Sequence, residues 1–365
     1  MAISLLMGCA DPEAQQVEDD SPSDSSAATE TPVDSPADTP VDSPADTPVD
    51  SPADTPVDSP ADTPVDSPAD TPVDSAVDTG PTLLPACPNF SQAVRAGTTP
   101  LFVVTEASGL AASRRNNDVL WTHNDSGSDP EVYAFTPALT GGLLGTFPLA
   151  GATAVDWEDI AVGPGPDASL TYLYVADIGD NGGSRNAVQV YRVAEPRVVA
   201  SGGPFQGQTL RNVERFDFVY PNGSRDAEAM MVDPLTGDLY IVVKSGSGTS
   251  PVYRATAPLV AGTTQIMTEV AVLQFGGGIL PGDPLVTGAD ITSDGSEIAI
   301  RTYDAAFAWR RVGVTPIADA LQTTPCSIPQ AAEGQGEAIG YWADGQGYYT
   351  VGEGSATWVN RYTRR

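Results

Sequence analysis

The chain has 365 residues, with 17 Lys and Arg against 48 Asp and Glu, for a formal net charge of -31 at pH 7 and a pI of about 4.1. A chain this acidic lacks the basic footprint that phosphate-backbone binding requires, so nucleic acid is excluded as a partner. The charge is unevenly placed: residues 1–86 hold nineteen acids and no Lys or Arg and read as a tail, whereas 87–365 hold 29 acids and 17 bases over a length sufficient for a full core.

No run approaches the roughly 20 apolar residues of a membrane-spanning helix. Leu6-Met7-Gly8-Cys9 resembles the lipobox that ends a bacterial lipoprotein signal. The resemblance implies a partial signal over 1–9, lipidation of Cys9, and a chain that is extracytoplasmic and lipid-anchored to a bacterial membrane, at the cell surface or in the periplasm. From Thr31 the octet Thr-Pro-Val-Asp-Ser-Pro-Ala-Asp runs five times to Asp70, and a sixth copy ends Ser-Ala-Val-Asp at Asp78. Prolines at every fourth position and repelling aspartates leave nothing to bury, so 10–86 are expected as a disordered, extended acidic linker near polyproline II. A spacer with no further role is the alternative to a binding tract. Outside the tail, Cys87 and Cys326 form an even pair in an exported domain. They are expected as a disulfide, with two buried thiols as the alternative.

Residues 87–365 are expected to be all-β. Gly and Pro are frequent, helical periodicity is scarce, and short β-branched or aromatic runs alternate with turn signals. A unit of opening strand, turn and second strand recurs. The openings are Ser108–Ala112, Asp156–Val162, Asp226–Val232, Gly288–Thr292 and Gly336–Tyr341; the partners are Val119–Asp125, Leu173–Asp177, Leu239–Lys244, Ile298–Tyr303 and Gly347–Glu353. Third strands such as Val188–Val193 and Pro251–Ala255 follow, then fourth strands such as Val213–Tyr220 and Glu269–Phe275. Four antiparallel strands about every 50 residues describe a β-propeller, with five units counted and five to six blades allowed. Leu101–Glu106 is the expected strand that completes the last unit and closes the ring. A decorated β-sandwich is the competing architecture.

Starts of first strands and ends of second strands share one end of a propeller. Here those positions are polar: Asp156, Glu158, Asp159, Asp226, Glu228, Asp290 and Glu337 among the starts; His123, Asn124, Asp125, Asp177, Asp180, Asn181, Lys244, Arg301, Tyr303 and Glu353 among the ends. Carboxylates converging on one mouth repel unless neutralised, and a bound cation is the simplest remedy. Oxygen donors suit Ca²⁺, and one His in the whole chain argues against zinc. The alternative is that Asp-Gly, Asn-Asp-Ser-Gly and Gly-Asp-Asn simply tighten turns.

The stretch from about Leu101 to Glu353 resembles a group of secreted bacterial propeller proteins of uncharacterised function. The resemblance rests on Trp121-Thr-His-Asn-Asp-Ser-Gly, Asp156-Trp-Glu-Asp-Ile-Ala, Asp177-Ile-Gly-Asp-Asn, Asp226-Ala-Glu-Ala, Thr287-Gly-Ala-Asp-Ile, Arg301-Thr-Tyr and Gly334-Gln-Gly-Glu-Ala-Ile. More distantly the chain resembles six-bladed calcium-dependent propeller lactonases and esterases. That likeness implies Ca²⁺ held by Glu158, Asn124, Asp177, Asp180 and Asn181.

His123 is a candidate general base for a calcium-assisted hydrolysis, against a structural hydrogen-bonded role. Lys244 and Arg301, with Tyr303, Glu228, Glu337 and Asp290, are candidate ligand-binding residues or internal salt bridges. Trp121, Trp157, Trp309, Trp342 and Trp358 either wall a sugar-binding channel or pack blade against blade. The leading expectation is a monomeric surface-tethered propeller that binds a small-molecule, glycan or protein ligand at its mouth with Ca²⁺, touching the membrane only through its lipid. A calcium-dependent lactonase, esterase or phosphoesterase and a purely structural interaction scaffold are the alternatives.

Overall fold

The computed structural model describes residues 86–139, 142–198, 206–276 and 283–365. The lipobox at Cys9 and the octet tract lie outside them. Within the described residues each short apolar run satisfies its backbone by pairing with the next one along the chain. The chain enters through β1 (Val94–Thr98). Blade 1 follows as β2 (Ala107–Ala112), β3 (Leu120–Asn124), β4 (Glu131–Thr136) and β5 (Gly142–Pro148). Blade 2 is β6 (Trp157–Gly163), β7 (Tyr172–Asp177), β8 (Val188–Ala194) and, after the short strand β9 (Gln206–Gly207) that joins another sheet, β10 (Glu214–Val219). Blade 3 is β11 (Ala227–Val232), β12 (Leu239–Val243), β13 (Thr249–Ala255) and, after the short strand β14 (Thr264–Ile266) that joins another sheet, β15 (Thr268–Gln274). Blade 4 is β16 (Val286–Ile291), β17 (Glu297–Thr302), β18 (Ala306–Arg310), a short helix α1 (Ile317–Leu321) and β19 (Cys326–Ile328). Blade 5 is β20 (Gly336–Tyr341), β21 (Gly347–Gly352) and β22 (Trp358–Thr363).

Five sheets result, so the ring has five blades, the number of units counted, and not the six of the lactonases. The innermost strands β2, β6, β11, β16 and β20 touch their neighbours in cyclic order. Two excursions reach backwards: β9 adds in parallel to β5 of blade 1, and β14 adds in parallel to β10 of blade 2. Each covers an outer edge that would otherwise present unpaired backbone.

The closing strand is β1, which pairs antiparallel with β22 from Val94↔Arg361 to Thr98↔Trp358. The expectation of Leu101–Glu106 is corrected. That segment turns away, with Val104 N–H bonded to the Pro100 carbonyl (3.1 Å) and Phe102 at φ 66°. An outermost strand is wetted on one side, so β1 does not need the apolar run by which inner strands are recognised. Cys87, just ahead of β1, bonds to Cys326, the first residue of β19. The disulfide ties the closing segment to the outer edge of blade 4.

The core lies in the five seams between blades. Trp121, Trp157 and Tyr191 fill the seam between blades 1 and 2; Tyr174, Met230 and Tyr253 fill the next; Met231, Phe307 and Trp309 the third. Phe90, Tyr348 and Tyr362 close the fourth, and Leu110, Phe135 and Val351 the fifth. Trp121, Trp157 and Trp309 are therefore blade packing. Trp358 is 38% exposed on the last strand, beneath the guanidinium of Arg95.

Candidate metal centre at the channel mouth

Every inner strand carries an irregularity at the same place. The pairing with the second strand skips Glu158 in blade 2, Glu228 in blade 3, Thr287 in blade 4 and Glu337 in blade 5; in blade 1 it skips Ser108 and Gly109. A β-bulge re-aims its side chain out of the pleat. Repeated around the ring, it sets Ser108, Glu158, Glu228, Thr287 and Glu337 side by side at the mouth, none more than 7% exposed. The hydroxyls reach the next blade: Ser108 donates to the Glu158 carbonyl (2.8 Å) and Thr287 to the Gly336 carbonyl (2.8 Å).

Three glutamates in so small a ring need company of opposite charge. Glu228 has it, in an ion pair with Lys244, whose Nζ also donates to the Tyr303 hydroxyl (2.9 Å) across the seam to blade 4. Glu158 has none among the described residues. Instead Asp125, at the end of β3, and Asp156, at the start of β6, bring one carboxylate oxygen each to within 4.8 Å of one another and of Glu158. Asp156 lies in the bend just ahead of β6 and Glu158 in the bulge two residues on, and that break in the pleat lets both carboxylates reach one point. Gly179 closes in from the loop after β7; a β-carbon there would collide with carboxylate oxygens of both Glu158 and Asp156.

The acids respond as crowded, dehydrated carboxyls do. Burial, then Glu228, Asp125, Asp156 and Asp226, hold Glu158 well above the usual range. Burial, then Asp125 and Asp226, push Asp156 up to about 6. Burial raises Asp125, with the Ser126 N–H opposing. Burial lifts Glu228 to about 8 in spite of Lys244, and Glu337 to about 7. The second carboxylate oxygen of Glu228 is buried with no hydrogen-bond partner among the described residues. Asp125, Asp156 and Glu158 together form a carboxylate set that can hold a metal ion.

Of the five expected ligands, Glu158 alone belongs to this triad. Asn124 clamps the entry loop, accepting from the Thr105 (2.9 Å) and Glu106 (3.2 Å) N–H groups and donating to the Val103 carbonyl (2.9 Å). Asp177 accepts from the Val155 and Asp156 N–H groups (3.3 and 3.0 Å) and pairs with Arg185 (2.8 Å), which positions Asp156. Asp180 accepts from the Ser184 and Arg185 N–H groups (2.8 and 3.0 Å), while its own N–H bonds Asp226 (2.9 Å). Asn181 is exposed. These residues build the loop that presses Gly179 onto the triad. Asp125 and Asp156 are mouth residues in the sequence, but their part in the triad depends on the bulge at Glu158, which no strand alternation announces.

The remaining candidates disperse. His123 is fully buried in the seam between blades 1 and 2, its Nδ1 on the Asn124 carbonyl (2.9 Å) and its ring edge-on to Trp157 at 5.7 Å. Its Nε2 faces Gly109, where a β-carbon would stand 2.7 Å away, and burial pulls its pKa down to about 4. Arg301 is also fully buried, bonded to Glu333 (2.8 Å) and to the Ala338 carbonyl (3.0 Å). Asp159 and Asp290 fill the channel itself. Asp159 accepts from the N–H groups of Met230 (2.8 Å) and Ala289 (3.3 Å), and Asp290 from that of Tyr341 (2.7 Å). They thus satisfy backbone groups on the unpaired inner edges of other blades. Lys244, Tyr303, Glu228 and Glu337 remain at the mouth.

No protein-family model matches the chain, and no curated protein matches it.

Proposed function

We propose that the protein is an extracytoplasmic, lipid-tethered propeller that binds Ca²⁺ through Asp125, Asp156 and Glu158 and uses the ion to engage a ligand at its mouth. The observation that carries the reading is the convergence of three carboxylates on one point, with no cationic side chain paired to Glu158 among the described residues. Oxygen donors alone, with the single His buried in a seam, favour a hard divalent ion. Ca²⁺ takes 6–8 oxygens, so three carboxylates leave positions for water and for oxygens of a ligand. Asp125 stands on blade 1 and the other two on blade 2, so the ion braces a seam. The channel below is filled by Asp159, which favours a ligand engaged at the surface over one swallowed by the ring. The Cys87–Cys326 disulfide suits an oxidising compartment, and no helix among the described residues is long and apolar enough to cross a membrane.

The test is calorimetric titration of the metal-free full chain with Ca²⁺, beside thermal unfolding with and without the ion. One stoichiometric site is expected, with a rise in Tm on loading. Glu158→Gln and Asp156→Asn should each weaken binding at least tenfold while keeping a cooperative transition. Absence of saturable binding, or unchanged affinity in both variants, overturns the reading.

A further inference from the structure

At the end of the ring away from the carboxylate mouth, one groove is faced by arginines. First strands finish there and second strands begin. The turn between β2 and β3, the segment after β8 and the connection from β9 to β10 enclose a groove of 610 Å³ whose lining includes Arg115, Arg211, Gln208, Thr209 and Asn212. This volume lies within the range of small-molecule sites.

The walls are braced. Arg115 donates to the Glu195 carbonyl (2.6 Å), Asn116 donates to the Pro196 carbonyl (3.0 Å), and the Val198 N–H returns to the Asn116 side chain (2.9 Å). On the far side Leu210 exchanges backbone bonds with Pro148 (2.8 Å) and Ala150 (2.9 Å). Asn212 sits at φ 60°, a left-handed backbone that most residues avoid. The groove is therefore preorganised.

Its charge is uncompensated at the surface. Glu195, the one acid in the lining, is fully buried, and its carboxylate is taken by Ser113, the Trp121 indole N–H (2.9 Å) and Thr171 (2.5 Å). No carboxylate among the described residues pairs with Arg115, Arg211 or the exposed Arg197 beside the groove. In a domain with 29 acids and 17 bases, two arginines facing one groove with no carboxylate partner among the described residues call for an anion.

We propose that this groove binds an oxyanion group, the carboxylate or phosphate of a small molecule, between the guanidinium forks of Arg115 and Arg211. Planar guanidinium groups match both geometries and hold them by charge-assisted bonds. Gln208, Thr209 and Asn212 offer neutral polar atoms to the rest of the ligand.

The experiment titrates the full chain, in metal-depleted buffer at physiological salt, with inorganic phosphate, pyrophosphate and citrate in separate arms. Saturable binding of at least one is expected. The arm that binds assigns the group: the phosphates a phosphoryl ligand, citrate a carboxylate one. Arg211→Gln should cut affinity tenfold or more without moving the Tm of the ligand-free protein, and Arg115→Gln should cut it similarly. Since Arg115 also holds the Glu195 carbonyl, Arg211→Gln is the variant that decides. No binding in any arm, or affinity unchanged in Arg211→Gln, overturns the proposal.

Discussion

The crowding of the mouth makes a prediction with a definite sign. Glu337 is 7% exposed, and burial raises its carboxyl from the ordinary 4.5 to about 7, with Glu353 adding to the rise and Gln335, Lys244 and Arg301 opposing it. A folded-state pKa above the unfolded one means that the folded protein binds its proton more tightly, so stability is full below pH 4.5 and is lost as the pH rises to 7. The gap corresponds to about 3 kcal/mol. Glu337→Gln keeps the shape and removes the penalty. In metal-free buffer its Tm should match wild type near pH 4 and exceed it at pH 8. At roughly 2 °C per kcal/mol for a domain of this size, the gain is about 6 °C. Thermal unfolding followed by circular dichroism across that pH range reads it. An equal difference at both ends of the range, or a loss of stability at pH 8, would refute the electrostatic account.

Two further outcomes follow from the same structure. Cys326→Ser frees the closing segment from blade 4 across a sequence separation of 239 residues, and should cost about 2–5 kcal/mol, read as a lower denaturation midpoint with a steeper slope as the unfolded chain expands. His123 is the only imidazole, so one proton resonance reports it; with its pKa at about 4 it should stay neutral through pH 6, and the stability it contributes, complete above its ordinary 6.5, should fall away as the pH drops toward 4. An imidazole titrating near 6.5 would place it in solvent instead.

The blades were legible because inner and middle strands are buried on both faces and must be written in apolar residues. All five opening strands and their partners fall where the alternation of runs and turns puts them. The closing strand was not legible because its outer position leaves Val94 and Arg95 exposed, so Leu101–Glu106 looked better than Val94–Thr98. The disulfide followed from an even count. The candidate metal centre was half legible. Converging acids were visible, but which of them carry free oxygens was not, because Asp177 and Asp180 spend theirs on backbone N–H groups that only the folded loop presents. Nor was the fate of Arg301 legible, since Glu333 lies 32 residues away on a segment with no strand pattern. The arginine groove escaped for a similar reason: its lining comes from three connections, one of them some eighty residues ahead of the other two, in stretches without periodicity.

The narrowness of the ring explains where chemistry can sit. Five inner strands approach so closely that β-carbons at Gly109, Gly288 and Gly340 would collide with the backbone of the next blade. Side chains that would line a wider channel become struts here, as Asp159 and Asp290 do, and their carboxyls serve inner-edge N–H groups instead of a ligand. The bulges gather at one end of the ring. There the chain has placed acids that destabilise the empty fold, and an ion held between Asp125 and the pair on blade 2 would offset that cost. Loading then stabilises the native state by mass action, about 2.7 kcal/mol at a hundredfold excess over Kd. A carboxylate cluster that weakens the metal-free ring is therefore the same feature that would couple its stability to an ion, and the seam between blades 1 and 2 is where that coupling would act.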